Sequence, residues 1–272
     1  MNDQFKDKVV IITGASSGIG KALALEFADR GSVVVLAART EQKIIELEAQ
    51  INSNGLKAMA VPTDVTSIED CKKLIEKTVE KFGGIDILVN NAGVSMKAIF
   101  HEADIKVIEK MMNVNFWGTV YCTKYALPYL LERRGVLVAI SSIAGYQGLP
   151  GRSGYSASKF AIQGLFESIR IENLKKGLHV LVFAPGFTAS EIRKHALLAD
   201  GKEQGESPRK EENLTPPEYV AKKVIKSIEN RKRNKVLTVE GNLTLVLKRI
   251  FPGLVDWGYY REFAKEPNSI LK

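Results

Sequence analysis

The chain holds only two cysteines and three histidines among its 272 residues. Cys71 and Cys122 lie far apart and lack metal-ligand spacing, so neither a disulfide framework nor a zinc site is expected; buried thiols in a reducing compartment are. His101, His179 and His195 have no partner at ligand spacing, and no metal is assigned. No apolar run is long enough to cross a bilayer. Residues 1–8 are polar, and the apolar run behind them is too short for a signal peptide. A cytoplasmic location is therefore expected. No Gly/Ser- or Pro-rich linker and no internal repeat divides the chain, and with 45% hydrophobic residues it can bury one large core.

Acidic residues are scarce near the end. Residues 219–272 carry twelve Lys/Arg against five Asp/Glu, so +7 of the net charge of +8 sits there. Such a bias suits a solvated helix face, an anionic membrane surface or an acidic partner. No nucleic-acid-binding motif accompanies it, so nucleic acid is not an expected partner.

Short Val/Ile-rich runs at 9–12, 33–37, 58–61, 85–89, 136–140, 180–184 and 236–239 alternate with helical patterns at 21–30, 41–52, 68–82, 105–131 and 155–175. Apolar runs without polar alternation suit strands buried on both faces. Strict alternation with helices predicts a doubly wound parallel sheet of seven strands with its site at the strands' carboxyl ends. Residues 188–217 break the rhythm and read as a lid or binding loop. The expected organisation is one α/β domain over 1–242, extended by a basic, aromatic segment at 243–272. That segment is too polar to span a bilayer; it could lie on one, cover a pocket or pack on another subunit.

Gly14, Gly18 and Gly20, with Ser16, Ser17 and Ile19 between them, follow the first strand and open the first helix. Glycines there permit a tight turn and let backbone N–H groups approach a pyrophosphate. Their spacing is G-x-x-x-G-x-G. An acidic residue at the end of the second strand would favour NAD(H) by binding ribose hydroxyls. The chain has Arg39 instead, a planar cation suited to a 2′-phosphate, so NADP(H) is expected over NAD(H).

Tyr155 and Lys159 are four residues apart and share one helix face. A free phenol titrates near ~10, too high for base chemistry at neutral pH, and an ammonium and an oxidised nicotinamide would both stabilise the phenolate. Tyr155 could then pass a proton to or from a substrate oxygen that Ser142, at the end of the fifth strand, orients.

These motifs, with Asn90-Asn91-Ala92-Gly93, Asn115 and Pro185-Gly186, resemble the short-chain dehydrogenase/reductase family, classical subgroup, over about residues 8–240. The resemblance implies a Rossmann-like fold and hydride transfer between a nicotinamide and a carbonyl or secondary alcohol. It also implies that Asn115 holds a water in a proton relay to Lys159, and that Lys159 binds the nicotinamide ribose. Asp64 and Val65 would contact the adenine, Asn91, Ala92 and Gly93 would line the cofactor, and Pro185, Gly186 and Thr188 would lie beneath the nicotinamide. Pocket walls are expected at 95–100, 143–152 and 189–214. The segment 243–272 is similar to that of relatives acting on steroids, retinoids or keto-sphingoid bases, so a lipid-like carbonyl is the expected substrate. Small soluble ketones, sugars or acyl thioesters are the alternative, and a non-catalytic NADP(H) sensor a third reading. Family habit implies a homodimer or homotetramer, and the C-terminal charge a peripheral membrane contact.

Overall fold

The computed structural model describes residues 3–206, 214–265 and 269–271. In chain order the elements are β1 (Val9–Thr13), α1 (Gly18–Asp29), β2 (Val33–Ala38), α2 (Glu41–Ser53), β3 (Lys57–Pro62), α3 (Ile68–Phe82), β4 (Ile87–Asn90), α4 (Ile105–Met111), α5 (Gly118–Glu132), β5 (Val136–Ile140), α6 (Ser153–Glu172), β6 (His179–Ala184), α7 (Pro217–Glu229), β7 (Asn234–Val236), α8 (Val239–Ile250) and α9 (Pro252–Ala264). The strands form one seven-stranded sheet in the order β3-β2-β1-β4-β5-β6-β7, with every pairing parallel.

Every residue of β1, β2 and β6 is buried. Because successive side chains point to opposite faces, each strand feeds two cores. Val10, Ile12, Val34 and Leu36 pack with Phe27, Ile44 and Val224 of α1, α2 and α7. Val9, Ile11, Val33 and Val35 pack with Leu74, Leu130 and Phe166 of α3, α5 and α6. Cys71 and Cys122 are free and buried in that second layer, their sulfurs 3.5 Å apart. The chain reverses its direction of sheet growth between β1 and β4, and such a switch opens a crevice beyond the strands' carboxyl ends.

Four elements differ from the pattern expected of the sequence. The run at 105–131 is not one helix: a π-helical turn, Met112–Trp117, separates α4 from α5. The seventh strand ends at Val236, because Thr238 caps α8 by accepting a hydrogen bond from the Gly241 N–H at 3.1 Å. A further helix, α7, begins at Pro217, a residue with no N–H to lose in a first helical turn. The segment after 238 forms the two packed helices α8 and α9.

The charge of this last region is not spread along it. Residues 219–238 carry seven Lys/Arg and one Asp/Glu, whereas 239–272 carry five and four. The basic excess thus belongs to α7, β7 and above all the turn between them, Arg231-Lys232-Arg233. The exposed apolar residues Val239, Leu243, Val246, Ile250, Leu254 and Trp257 belong to α8 and α9. Among the described residues no helix is long and apolar enough to cross a membrane.

Candidate active site and cofactor cleft

The cleft begins where β1 ends. Gly14 and Gly18 have φ of +67° and +52°, the left-handed region that favours glycine. A Cβ at Gly14 would stand 2.9 Å from the Ala92 Cα, and one at Gly20 would collide with the Gly14 carbonyl oxygen. Side chains hold the turn from behind. The Thr13 hydroxyl accepts from the Asn91 and Ala92 N–H groups at 3.0 and 3.1 Å. The Asn91 side-chain amide donates to the Thr13 and Gly14 carbonyls at 2.9 and 3.2 Å. Ser17, the N-cap of α1, makes no side-chain capping bond. The first N–H groups of α1 therefore face the cleft without that partner, the arrangement that binds an anion.

Gly14, Ser16, Ser17, Gly18, Ile19, Arg39, Asp64, Val65, Asn91, Ala92, Gly93, Ser142, Tyr155, Lys159, Pro185, Gly186 and Thr188 all line one cavity of about 1110 Å³. The structure thus gathers nearly the whole set expected from the sequence. Gly20 and Asn115 do not line it. Gly20 lets α1 close on the turn. Asn115 lies in the π-helical turn, fully buried. Its Oδ1 accepts from the Val94 N–H at 2.8 Å, and its Nδ2 donates to the Val94 carbonyl and the Ser158 hydroxyl at 3.0 and 2.9 Å. The side chain therefore clamps the strand-end loop to α6. A π-turn aims the residue this way and is a common device at functional sites. Gly93 makes the approach possible, since a Cβ there would meet Asn115 Oδ1 at 3.1 Å.

Helix α6 carries Tyr155 and Lys159. Lys159 Nζ donates to the Ile140 carbonyl at 3.0 Å and lies 5.8 Å from the centre of the Tyr155 ring. Burial lowers its pKa to about 8. Burial also raises the Tyr155 phenol above its ordinary value, against the pull of a Ser142 hydrogen bond and the Arg152 charge. Burial thus opposes the charged form of both groups. A second cation, Arg152, lines the cavity and precedes α6 by one residue, and its charge favours the phenolate. Periodicity alone gave no sign of its role.

The segment 188–206 covers the site. Residues 95 and 97 pair with Leu197: the Leu197 N–H donates to the Ser95 carbonyl at 2.9 Å, and the Lys97 N–H to the Leu197 carbonyl at 2.7 Å. Beneath this ladder Met96, Ala98, Val107, Met111 and Leu197 form a third apolar cluster against Tyr155. His195 sits on the cavity wall with Nδ1 2.6 Å from Glu203 Oε2. Of the expected walls, Ser95, Ile143, Leu149, Arg152 and residues 190–193, 195, 197 and 203 line the cavity, whereas Phe100 is exposed and residues 207–213 fall outside the described residues.

Helices α8 and α9 form the remaining wall. Gly241 lets α8 start close against the end of β7, since a Cβ there would stand 2.6 Å from Val236 Cγ1 and 2.8 Å from Thr238 Oγ1. Lys248 Nζ donates to the Tyr146 carbonyl at 2.6 Å, and Gln147 Nε2 to Asp256 Oδ1 at 3.2 Å. Leu243, Thr244, Leu247, Leu254, Val255 and Tyr259 face the cavity from these helices.

A family model described as short chain dehydrogenase matches residues 8–200. The chain is a short-chain dehydrogenase/reductase. It is an oxidoreductase of the CH–OH/C=O type that works with a nicotinamide dinucleotide. It is 34% identical to "11-beta-hydroxysteroid dehydrogenase A" of Sesamum indicum, over 96% of this chain and 77% of that one. To the protein of the same name from Arachis hypogaea it is 36% identical, over 99% and 79%. Among solved structures it resembles an alcohol dehydrogenase of the archaeon Thermococcus sibiricus complexed with 5-hydroxy-NADP, at TM-score 0.74 and 25% identity, covering 85% of this chain and 95% of that one. A Burkholderia phymatum short chain dehydrogenase/reductase in complex with NAD shares the fold at TM-score 0.83, with 23% identity over 92% and 96%.

Proposed function

We propose that the enzyme interconverts a carbonyl and a secondary alcohol on an elongated, mostly apolar molecule, with NADP(H) as its cofactor. The observation that carries this reading is the continuity of the cavity. It runs from the phosphate turn past Tyr155 to the branched side chains of α8 and α9. The cofactor, when bound, supplies or accepts the hydride. Gly14, Ser17 and Gly18 would hold its pyrophosphate, Asp64 and Val65 its adenine, Lys159 its ribose, and Pro185, Gly186 and Thr188 its nicotinamide. Tyr155 exchanges the proton with the substrate oxygen and Ser142 orients that oxygen. Lys159 reprotonates the phenol, and Asn115 supports it by fixing α6.

Arg39 and Lys43 both line the cleft beyond β2, and no carboxylate replaces Arg39 there, which supports NADP(H). The names of the plant relatives support a polycyclic or other lipid-like substrate. The test is NADPH consumption against ketones of rising chain length, with NADH in parallel. A lipid pocket makes kcat/KM climb with length, because each buried methylene contributes up to ~0.8 kcal/mol. A flat series would instead assign the enzyme to small soluble ketones.

A further inference from the structure

Helices α8 and α9 carry a second apolar face, on the side turned away from the domain. On α8, Val239, Leu243, Val246 and Ile250 recur at helical spacing, which puts them on one side. On α9, Leu254 and Trp257 share the outer side, and Phe251 stands between the two helices. All seven are more than half exposed, whereas Thr244, Val255 and Phe263 are buried on the opposite sides of the same helices. An exposed apolar surface this concentrated marks an interaction site.

The charges around it tell what covers it. Glu240 and Glu262 line the cavity, and Asp256 accepts from Gln147, so the carboxylates of both helices turn inward. Arg249, Arg261 and Lys265 are exposed and do not line the cavity. The Arg261 guanidinium lies 4.5 Å from the centre of the Trp257 ring. The outer face is thus apolar with cations at its border. A second copy of the same face would set cation against cation, whereas lipid phosphates meet these cations with opposite charge. The stripe also runs into the cavity, because Leu243 and Leu254 are at once exposed and part of its lining.

We infer that the outer face of α8 and α9 lies on a phospholipid bilayer, and that the cavity draws its substrate from that surface. Val246, Ile250 and Trp257 enter the boundary between headgroups and acyl chains, and Arg249 and Arg261 meet the phosphates. Helix α8 has 12 residues, so it lies in the plane of the surface and does not cross it. Leu243 and Leu254 then mark the passage by which an apolar molecule reaches the site without crossing water. The docking stands on the exposed face alone; the passage rests on the carbonyl chemistry and apolar substrate proposed above.

The test floats the full enzyme on vesicles of phosphatidylcholine and phosphatidylglycerol in equal parts, beside Val246→Gln with Ile250→Gln, two exposed positions outside the cavity lining. The wild type is expected to float, and the double variant to partition onto the vesicles about tenfold less or weaker still. Its kcat/KM for a short soluble ketone should stay within about twofold of the wild type, which shows that the fold is intact. For a long-chain ketone supplied in the same vesicles its rate should fall about tenfold, in step with the lost binding. A wild type that stays in solution overturns the docking, as does a double variant that floats equally well. A wild type that is dimeric without lipid and made monomeric by the double variant assigns the face to a second copy, which also overturns it. Lost flotation with an unchanged rate on the vesicle-borne ketone overturns the passage. The proposed chemistry fails by a different sign: no turnover of any ketone with either nicotinamide, whatever the flotation.

Discussion

At the carboxyl ends of β1, β4 and β5 the cleft wall is glycine backbone and short polar side chains, fixed by Thr13, Asn91 and Asn115 from behind. Across the cavity, on α8 and α9, the wall is mostly leucine, valine and aromatic side chains with Glu240, Glu262 and a Thr244–Tyr259 hydroxyl pair, and two side-chain bonds tie it to the loop after β5. The first wall tolerates almost no change, because its donors must meet a ligand of fixed shape. The second can be rebuilt one side chain at a time, because apolar contact is non-directional. One end of the cavity is thus built for a chemistry and the other for a particular molecule.

That contrast can be broken from its rigid side first. Tyr155→Phe should lower kcat by about 10³-fold while the dissociation constant for NADPH, read by fluorescence titration, stays within about twofold. Substantial residual turnover would remove Tyr155 as the proton donor. Asn115→Ala should cost about 3–4 kcal/mol in urea unfolding, since it strands buried partners on Val94 and Ser158, and kcat should fall with it.

Lys159 gives the comparison a pH signature. Its folded-state pKa of about 8 lies below the unfolded value of 10.5. Between those values the unfolded chain holds a proton that the folded enzyme has lost, so stability without cofactor rises with pH across that window. Below it, the folded enzyme carries a buried charge that costs about 3 kcal/mol. Lys159→Met should raise the stability at neutral pH and flatten the rise between pH 8 and 10.5. An unchanged pH profile of unfolding would rule out that assignment.

Arg39→Asp should shift the ratio of kcat/KM for NADPH over NADH by about 10²-fold toward NADH, as expected for removing a charge-assisted phosphate contact. The smallest effect belongs to the replaceable wall. Leu247→Ala should lower kcat/KM for long-chain ketones by about tenfold and leave short ones within about twofold, consistent with the loss of a few buried methylenes. An equal loss for both lengths would show that α8 shapes the catalytic end as well.

The rigid half was legible before any coordinates, for a physical reason. Phosphate turns, strand ends and a Tyr/Lys pair one helical turn apart depend on local backbone geometry, and short windows of sequence encode local geometry. Gly14, Ser142, Tyr155 and Lys159 could be found that way. Arg152 could not, because a cation counts only through what it faces. Nor could the burial that lowers Lys159, or the π-helical turn that aims Asn115, since both arise from the packing of α4, α5 and α6 on the sheet.

The C-terminal region marks the boundary most clearly. Its basic charge and its apolar side chains read as one amphipathic surface along the chain. In space they part, the charge going to α7, β7 and the turn between them, and the apolar stripe to α8 and α9. The sequence by itself determined the alternating parallel sheet and the glycine turn after the first strand, because hydrophobic period and glycine spacing act over a few residues. Only the tertiary structure decided that α8 and α9 close the cavity and that Thr244 meets Tyr259 there. Contacts between residues fifteen apart on two packed helices follow from how those helices cross, and no local pattern specifies that crossing.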